Sequence, residues 1–138
     1  MKFVFVDTSG IVAAMNTKDE HHQAATKVFA ALVQERCALV ITNYVRAETH
    51  ALLVGRAGRD VAFRFLEEKS WSVKWVGPED EEQAMEIMRR YQDKTFSLID
   101  ATSFVVMKRL EIDTAIAFDR HFQQYGIKVL GPVDLEFH

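Results

Sequence analysis

The stretch FVFVDTSG, Phe3 to Gly10, decides the fold. Its first four residues form an unbroken apolar run rich in strand-favouring side chains, too short for a buried helix and followed at once by cap formers. A run apolar at every position, rather than at alternate ones, predicts a strand buried on both faces, as in a parallel sheet. Asp7, Thr8 and Ser9 then predict a helix start near Thr8 and Ser9. A strand that passes straight into a helix, with a carboxylate at the junction, is the unit from which the rest of the chain is read.

Working outward, the alternation continues to residue 130. A helix opens at Asp19 or Glu20, and on it His22, Ala25, Val28, Phe29, Leu32 and Val33 recur at the spacing of one buried face. Ala38 to Thr42 is the second strand, and Asn43 is a suitable N-cap for a helix over 44–54 that stops at Gly55. Another helix spans roughly 60–69, and Ser72 to Val76 is the third strand. Pro78 suits the first turn of a helix ending near Gln92. Ser97 opens the helix that carries Asp100, Thr114 to Phe118 is the fourth strand, and Ile127 to Leu130 the fifth. The tail after Gly131 and Pro132 is weakly determined. Alternating strands and helices predict an α/β fold with a largely parallel sheet, three layers deep (α/β/α), in one domain over residues 1–138.

Composition narrows the class. The chain has 138 residues, 49% hydrophobic and 27% charged, enough for a core without covalent staples. The single Cys37 has no internal partner, which suits a reducing compartment, and its strand-like neighbours predict a core position. No apolar run approaches the ~20 residues needed to span a bilayer, and the N-terminus has no signal-peptide pattern, so the cytoplasm is expected. A net charge of −3 argues against long-range attraction to nucleic acid but leaves a nucleic-acid substrate open. There is no Gly-rich phosphate loop, no Cys/His zinc spacing and no Gly-x-Ser-x-Gly elbow.

Four acids stand at strand-to-helix passages: Asp7, Glu48 in NYVRAETH, Asp100 in FSLIDATSF and Asp119 in AIAFDRHF. Each has a local explanation. Asp7 and Asp119 can cap the helices that follow them, Asp100 lies three residues after Ser97 as in a capping box, and Glu48 is an acceptable surface residue. Capping alone gives no reason for them to converge. In an open parallel sheet, ligands bind beyond the carboxyl ends of the strands, where the winding reverses. If the first and fourth strands flank that point, Asp7 and Asp119 meet there, and Glu48 and Asp100 reach the same crevice. Clustered carboxylates raise one another's pKa values and call for a hard cation such as Mg²⁺. The chemistry that follows is phosphodiester hydrolysis, since glycoside cleavage needs only a carboxyl pair of set separation.

FVDTSG, TNYVRAET, YQDKTFSLIDATSF and FDRHFQQYG, in that order and covering nearly the whole length, resemble the PIN-domain ribonucleases, specifically VapC-type toxins of bacterial and archaeal toxin–antitoxin pairs. The resemblance implies a parallel sheet ordered 3-2-1-4-5 and an acidic, metal-binding catalytic site of Asp7, Glu48, Asp100 and Asp119. It also implies dependence on Mg²⁺ or Mn²⁺, an RNA substrate, products ending in 5′-phosphate and 3′-hydroxyl, and a homodimer. A small cognate antitoxin is implied too, of a kind that often blocks the site with a basic side chain and binds promoter DNA through another domain. One departure is Ala117, where many relatives carry Thr or Ser two residues before the last acid. Thr8 and Ser9 are the candidate hydroxyls to support the site instead, Thr8 ahead.

Other classes remain open on sequence grounds: a housekeeping RNA-processing nuclease, a phosphohydrolase with Asp7 as nucleophile, or a non-catalytic metal-binding interaction domain. The phosphohydrolase class wants a second Asp two residues on, where this chain has Ser9. Asp93 is expected to be peripheral, His121 a helix-terminus or packing residue, and His21 and His22 too divergent in direction to share a metal. Arg46, Arg56, Arg59 and Arg64 are equally suited to phosphate contact and to a solvated helix surface. Lys108 and Arg109 suit the end of a helix dipole, and Trp71 and Trp75 suggest core or interface.

Overall fold

The computed structural model describes residues 2–131. Five parallel strands, β1 (Phe3–Val6), β2 (Ala38–Thr42), β3 (Ser72–Lys74), β4 (Thr114–Ile116) and β5 (Lys128–Leu130), form one sheet ordered β3-β2-β1-β4-β5. Helices α1 (Thr8–Met15), α2 (His22–Gln34), α3 (Asn43–Ala57), α4 (Arg59–Glu67), α5 (Pro78–Arg90), α6 (Leu98–Arg109) and α7 (His121–Tyr125) flank it in an α/β/α arrangement. The expected order 3-2-1-4-5 is the one observed. Because β1 is central, Phe5 pairs with Val40 on one side and Ala115 on the other. Val4, Phe5 and Val6 are fully buried, as their uninterrupted apolar run requires.

Several local expectations are corrected. The N-cap of α3 is Thr42, whose hydroxyl accepts the Val45 N–H (3.0 Å), because β2 passes into α3 without a loop. Asn43 spends its side-chain oxygen on the N–H of Val76 (2.7 Å), fastening the exit of β3. The helix also runs past Gly55 to Ala57. A Cβ at Gly55 would meet nothing within 4 Å, so glycine there costs only propensity, about 1 kcal/mol, whereas Gly58 has φ +98° and ends the helix. On α2, Ala25, Val28 and Leu32 are buried as expected, but Val33 is 68% exposed. Trp71 packs edge-on against Phe29 and Phe65, while Trp75 is 73% exposed and belongs to no core. The tail from Pro132 onward lies outside the described residues.

Helix α6 is the central prop. Asp100 through Met107 are all buried, so this helix is enclosed on every side. Its buried hydroxyls are satisfied inside the helix: Thr102 donates to the Leu98 carbonyl (2.7 Å) and Ser103 to that of Ile99 (2.8 Å). Gly10 sets the opposite side of the site. A Cβ there would lie 2.8 Å from Ile116 Cγ2 and 3.2 Å from the Ile116 carbonyl oxygen, so only glycine lets α1 sit against the end of β4. No helix among the described residues is long and apolar enough to cross a membrane.

Candidate active site

The site is assembled at the carboxyl ends of β1 and β4, the two strands that flank the reversal of winding. Asp7 follows β1 directly and caps α1, with Oδ2 accepting both the Ser9 N–H (3.2 Å) and the Ser9 hydroxyl (2.7 Å). The same Ser9 oxygen accepts the N–H of Phe118 (2.9 Å), and the Asp7 N–H is donated to the Ile116 carbonyl (2.9 Å). One hydroxyl therefore ties the end of β1 to the loop that carries Asp119. Of the two hydroxyls beside Asp7, Ser9 is the one that reaches it. Thr8 instead accepts from Thr49 (3.2 Å), coupling α1 to the turn of α3 that bears Glu48.

Asp100 is the third residue of α6 and closes a capping box with Ser97: the Ser97 hydroxyl accepts the Asp100 N–H (3.0 Å) and Asp100 Oδ2 accepts the Ser97 N–H (3.0 Å). Asp119 turns back on its own loop and accepts the His121 N–H (3.0 Å). All three aspartates thus accept backbone N–H groups near a helix start and also face one cavity of about 440 Å³, which Glu48 lines as well. Ligating atoms of Asp100, Asp119 and His121 lie within 4.8 Å of one another.

The electrostatics are those of crowded acids. The Asp7 carboxyl is pushed up to about 7, chiefly by burial and next by the Asp119 charge; the Ser9 bonds only partly oppose this, and Asp100 adds a smaller upward push. Six carboxylates line the cavity (Asp7, Asp19, Glu20, Glu48, Asp100 and Asp119), and Arg56 is the one Arg or Lys among the described residues that does so. Hard oxygen donors in this number, with the imidazoles of His21 and His121 at the edge, match the requirements of a divalent cation.

Several residues behave differently from their sequence reading. His121 opens α7 and packs edge-on against Phe96 as expected, but its Nδ1 also contacts Asp100 Oδ2 (2.8 Å), placing it in the site. Asp19, Glu20 and His21, in the loop before α2, line the cavity, with His21 stacked on Phe118. Nothing in the local pattern marked that loop, since only the packing of α2 against α1 brings it there. His22 turns away, with Nδ1 on the Ala13 carbonyl (2.9 Å). Of the four arginines, Arg46 donates to the Leu66 carbonyl (3.3 Å) and Arg59 and Arg64 border a groove on α4; Arg56 alone reaches the cavity. Arg109 does more than end a helix, because it grips Asp80 with two bonds. Asp93 is exposed, pairs with Lys94 (3.1 Å) and does not line the cavity.

Residues 4–128 match the PIN domain family. The chain is 33% identical to the 23S rRNA-specific endonuclease VapC20 of Mycobacterium tuberculosis, over 94% of this chain and 98% of that protein. It is 30% identical to the Ribonuclease VapC26 of the same organism, over 86% of this chain and 89% of that one. The crystal structure of M. tuberculosis VapC20, a sarcin–ricin-loop-cleaving toxin, matches with a TM-score of 0.86 over 94% of this chain and 99% of that one. The structure of VapBC2 from Rickettsia felis, bound to a promoter DNA fragment, shares the fold alone, with a TM-score of 0.70 at 11% identity over 92% of this chain and 96% of that one. The chain belongs to the PIN domain family and, within it, to the VapC-type ribonuclease toxins.

Proposed function

We propose that the chain hydrolyses RNA phosphodiester bonds at this cavity as the toxin of a toxin–antitoxin pair, using Mg²⁺ or Mn²⁺ held by Asp7, Asp100 and Asp119. Glu48 completes the site of a second ion or orients the attacking water. The observation that carries this reading is the charge imbalance: six carboxylates face one cavity with one guanidinium to answer them. A divalent cation resolves that repulsion and, when bound, supplies Lewis-acid stabilisation of phosphoryl oxygens and a more acidic water.

The chain's own residues do the rest. Asp7 is held by Ser9, and with its carboxyl near 7 it would give up its proton to serve as a ligand. The Ser97 N–H and the buried α6 fix Asp100, and the turn at His121 fixes Asp119. Arg56, exposed on the wall, meets a backbone phosphate next to the scissile one. Structured RNA, as in the substrate named for VapC20, is the substrate class favoured by 33% identity over 94% of the chain. An acidic cavity is also the natural seat for a basic side chain of a cognate antitoxin. A homodimer acting in the cytoplasm completes the proposal. An aspartyl-phosphate mechanism is disfavoured because the position it reserves for a second Asp holds Ser9, whose hydroxyl is already committed to Asp7 and Phe118.

The test is cleavage of ribosomal RNA by the nuclease-free protein with Mg²⁺, with Mn²⁺ and with chelator, followed by mapping of the cut ends. Discrete cuts that require the ion and leave 5′-phosphates are expected. Undiminished cutting under chelation, or turnover of small phosphate monoesters in place of RNA, would overturn the proposal.

A further inference from the structure

Asp100 has an oxygen-by-oxygen asymmetry. Oδ2 accepts the Ser97 N–H (3.0 Å) and lies 2.8 Å from His121 Nδ1, and no hydrogen bond among the described residues goes to Oδ1. Against an ionised carboxylate only the imidazole can donate, so a hydrogen bond across this contact would run from Nδ1. The other ring nitrogen is engaged too, with Nε2 3.3 Å from the Thr95 hydroxyl. The ring plane is set by Phe96, which meets it edge-on (5.9 Å, 88°) and is itself braced edge-on by Phe104 of α6 (5.1 Å, 82°). A chain of aromatic contacts thus runs from the core to the imidazole.

We propose that His121 is a positioning residue for the nuclease. Its Nδ1–H, together with the Ser97 N–H, occupies Oδ2 of Asp100 and fixes the rotation of the carboxylate so that Oδ1 is left for the cation. Both nitrogens already have contacts in the chain, Nδ1 with Asp100 and Nε2 with Thr95, which argues against His121 as a ligand. The inference rests on the metal-dependent reading above. It adds a residue outside the four acids whose loss weakens cation binding without removing any negative charge. Partners of this kind, standing behind a ligand, typically govern about 10–100-fold in metal affinity.

The test separates the donor from the ring. His121→Phe keeps a ring against Phe96 but has no N–H; His121→Asn places an amide donor near the position of Nδ1; His121→Gln carries its amide one carbon too far. Mn²⁺ affinity is measured by titration calorimetry, and thermal melting establishes that each variant is folded. His121→Phe and His121→Gln are expected to bind Mn²⁺ about 10–100-fold more weakly, with His121→Asn within a few-fold of wild type. If His121→Phe does not fold, the Gln-against-Asn comparison decides. Equal affinity in wild type and the donor-less variants overturns the positioning role. So does ¹⁴N coupling from the imidazole to bound Mn²⁺ in pulsed electron paramagnetic resonance of the wild type, which would make His121 a direct ligand. Wild-type protein that takes up no Mn²⁺ overturns this proposal together with the functional one, whereas normal wild-type uptake with unaffected variants overturns this one alone.

Discussion

At the N-terminus of α5, Asp80 accepts the N–H of Gly77 (3.0 Å); at the N-terminus of α6, Asp100 accepts the N–H of Ser97 at the same distance. Each is the third residue of its helix, and each is almost fully buried, 7% and 6% exposed. The company they keep differs. Asp80 is clasped by Arg109, with Nε on Oδ1 (3.2 Å) and a terminal guanidinium nitrogen on Oδ2 (3.0 Å), so its charge is answered within the chain. Asp100 has no arginine; it faces Asp119 and contributes to the upward push on Asp7. The cap is the same device in both places. What separates a structural acid from a site acid is whether the fold supplies the counter-charge or leaves it to a ligand.

The sharpest way to break this comparison is to neutralise each acid in turn. Asp100→Asn is expected to lower the rate of RNA cleavage by roughly 10²–10³-fold or more, the scale of a lost electrostatic contact to a reacting centre. Asp80→Asn, assayed under the same conditions with folding established by circular dichroism, is expected to leave that rate within about 2-fold. Equal losses from the two would erase the distinction.

The next effect is on stability. Arg109→Met leaves Asp80 buried without its cation and is expected to cost roughly 1–3 kcal/mol in urea unfolding, a range kept low because Arg109 is half exposed. Among the described residues Asp100 has no arginine or lysine partner to delete; its one ion-pair contact is with His121.

A third test uses pH. The folded-state carboxyl of Asp7 is raised from 3.8 to about 7, so the folded protein holds this proton more tightly than the unfolded chain does. In metal-free protein the stabilisation from that proton is complete below about pH 4 and is lost as pH rises through about 7. Stability should therefore decline across that window, and Asp7→Asn should flatten the decline and be the more stable protein at pH 8. Mg²⁺ or Mn²⁺ should restore stability to the wild type far more at pH 8 than at pH 5. A flat profile in metal-free wild type would contradict the crowding of charge at the site.

The smallest expected effect concerns Arg56, the cavity's own cation and the exposed counterpart of Arg109. Arg56→Ala should raise KM a few-fold with kcat nearly unchanged, and the difference should shrink as salt increases, as for a contact to backbone phosphate. A fall in kcat instead would assign it to the reacting phosphate.

Much of this molecule was legible in the chain, and the limits of legibility are physical. FVFVDTSG predicts strand then helix because an apolar run and a cap are both local signals. The helix beginning at Ser97 was readable for the same reason. Where two local signals compete, the tertiary setting chooses. Thr42 and Asn43 are both good caps; with β2 running straight into α3 the role falls to Thr42, and Asn43 serves the N–H of Val76, just beyond β3. Val33 fits the apolar spacing of α2 but falls on the side that nothing covers. For His121 and Arg109 the local signal tells only part of the role, for one reason. Each meets an acid at least twenty residues away, and neither partner announces the other in the sequence.

By itself the sequence determined the strand–helix alternation, the carboxylates available at its junctions and the excess of acid over base, since these depend on residue type and near neighbours alone. Only the tertiary structure decided which acids share a cavity, that Ser9 joins Asp7 to the loop of Asp119, and that Asp80 is answered by Arg109 while Asp100 meets a histidine. Those outcomes turn on distances of about 3 Å between groups far apart in the chain, and such distances exist only once the sheet has closed and α6 is packed beside it.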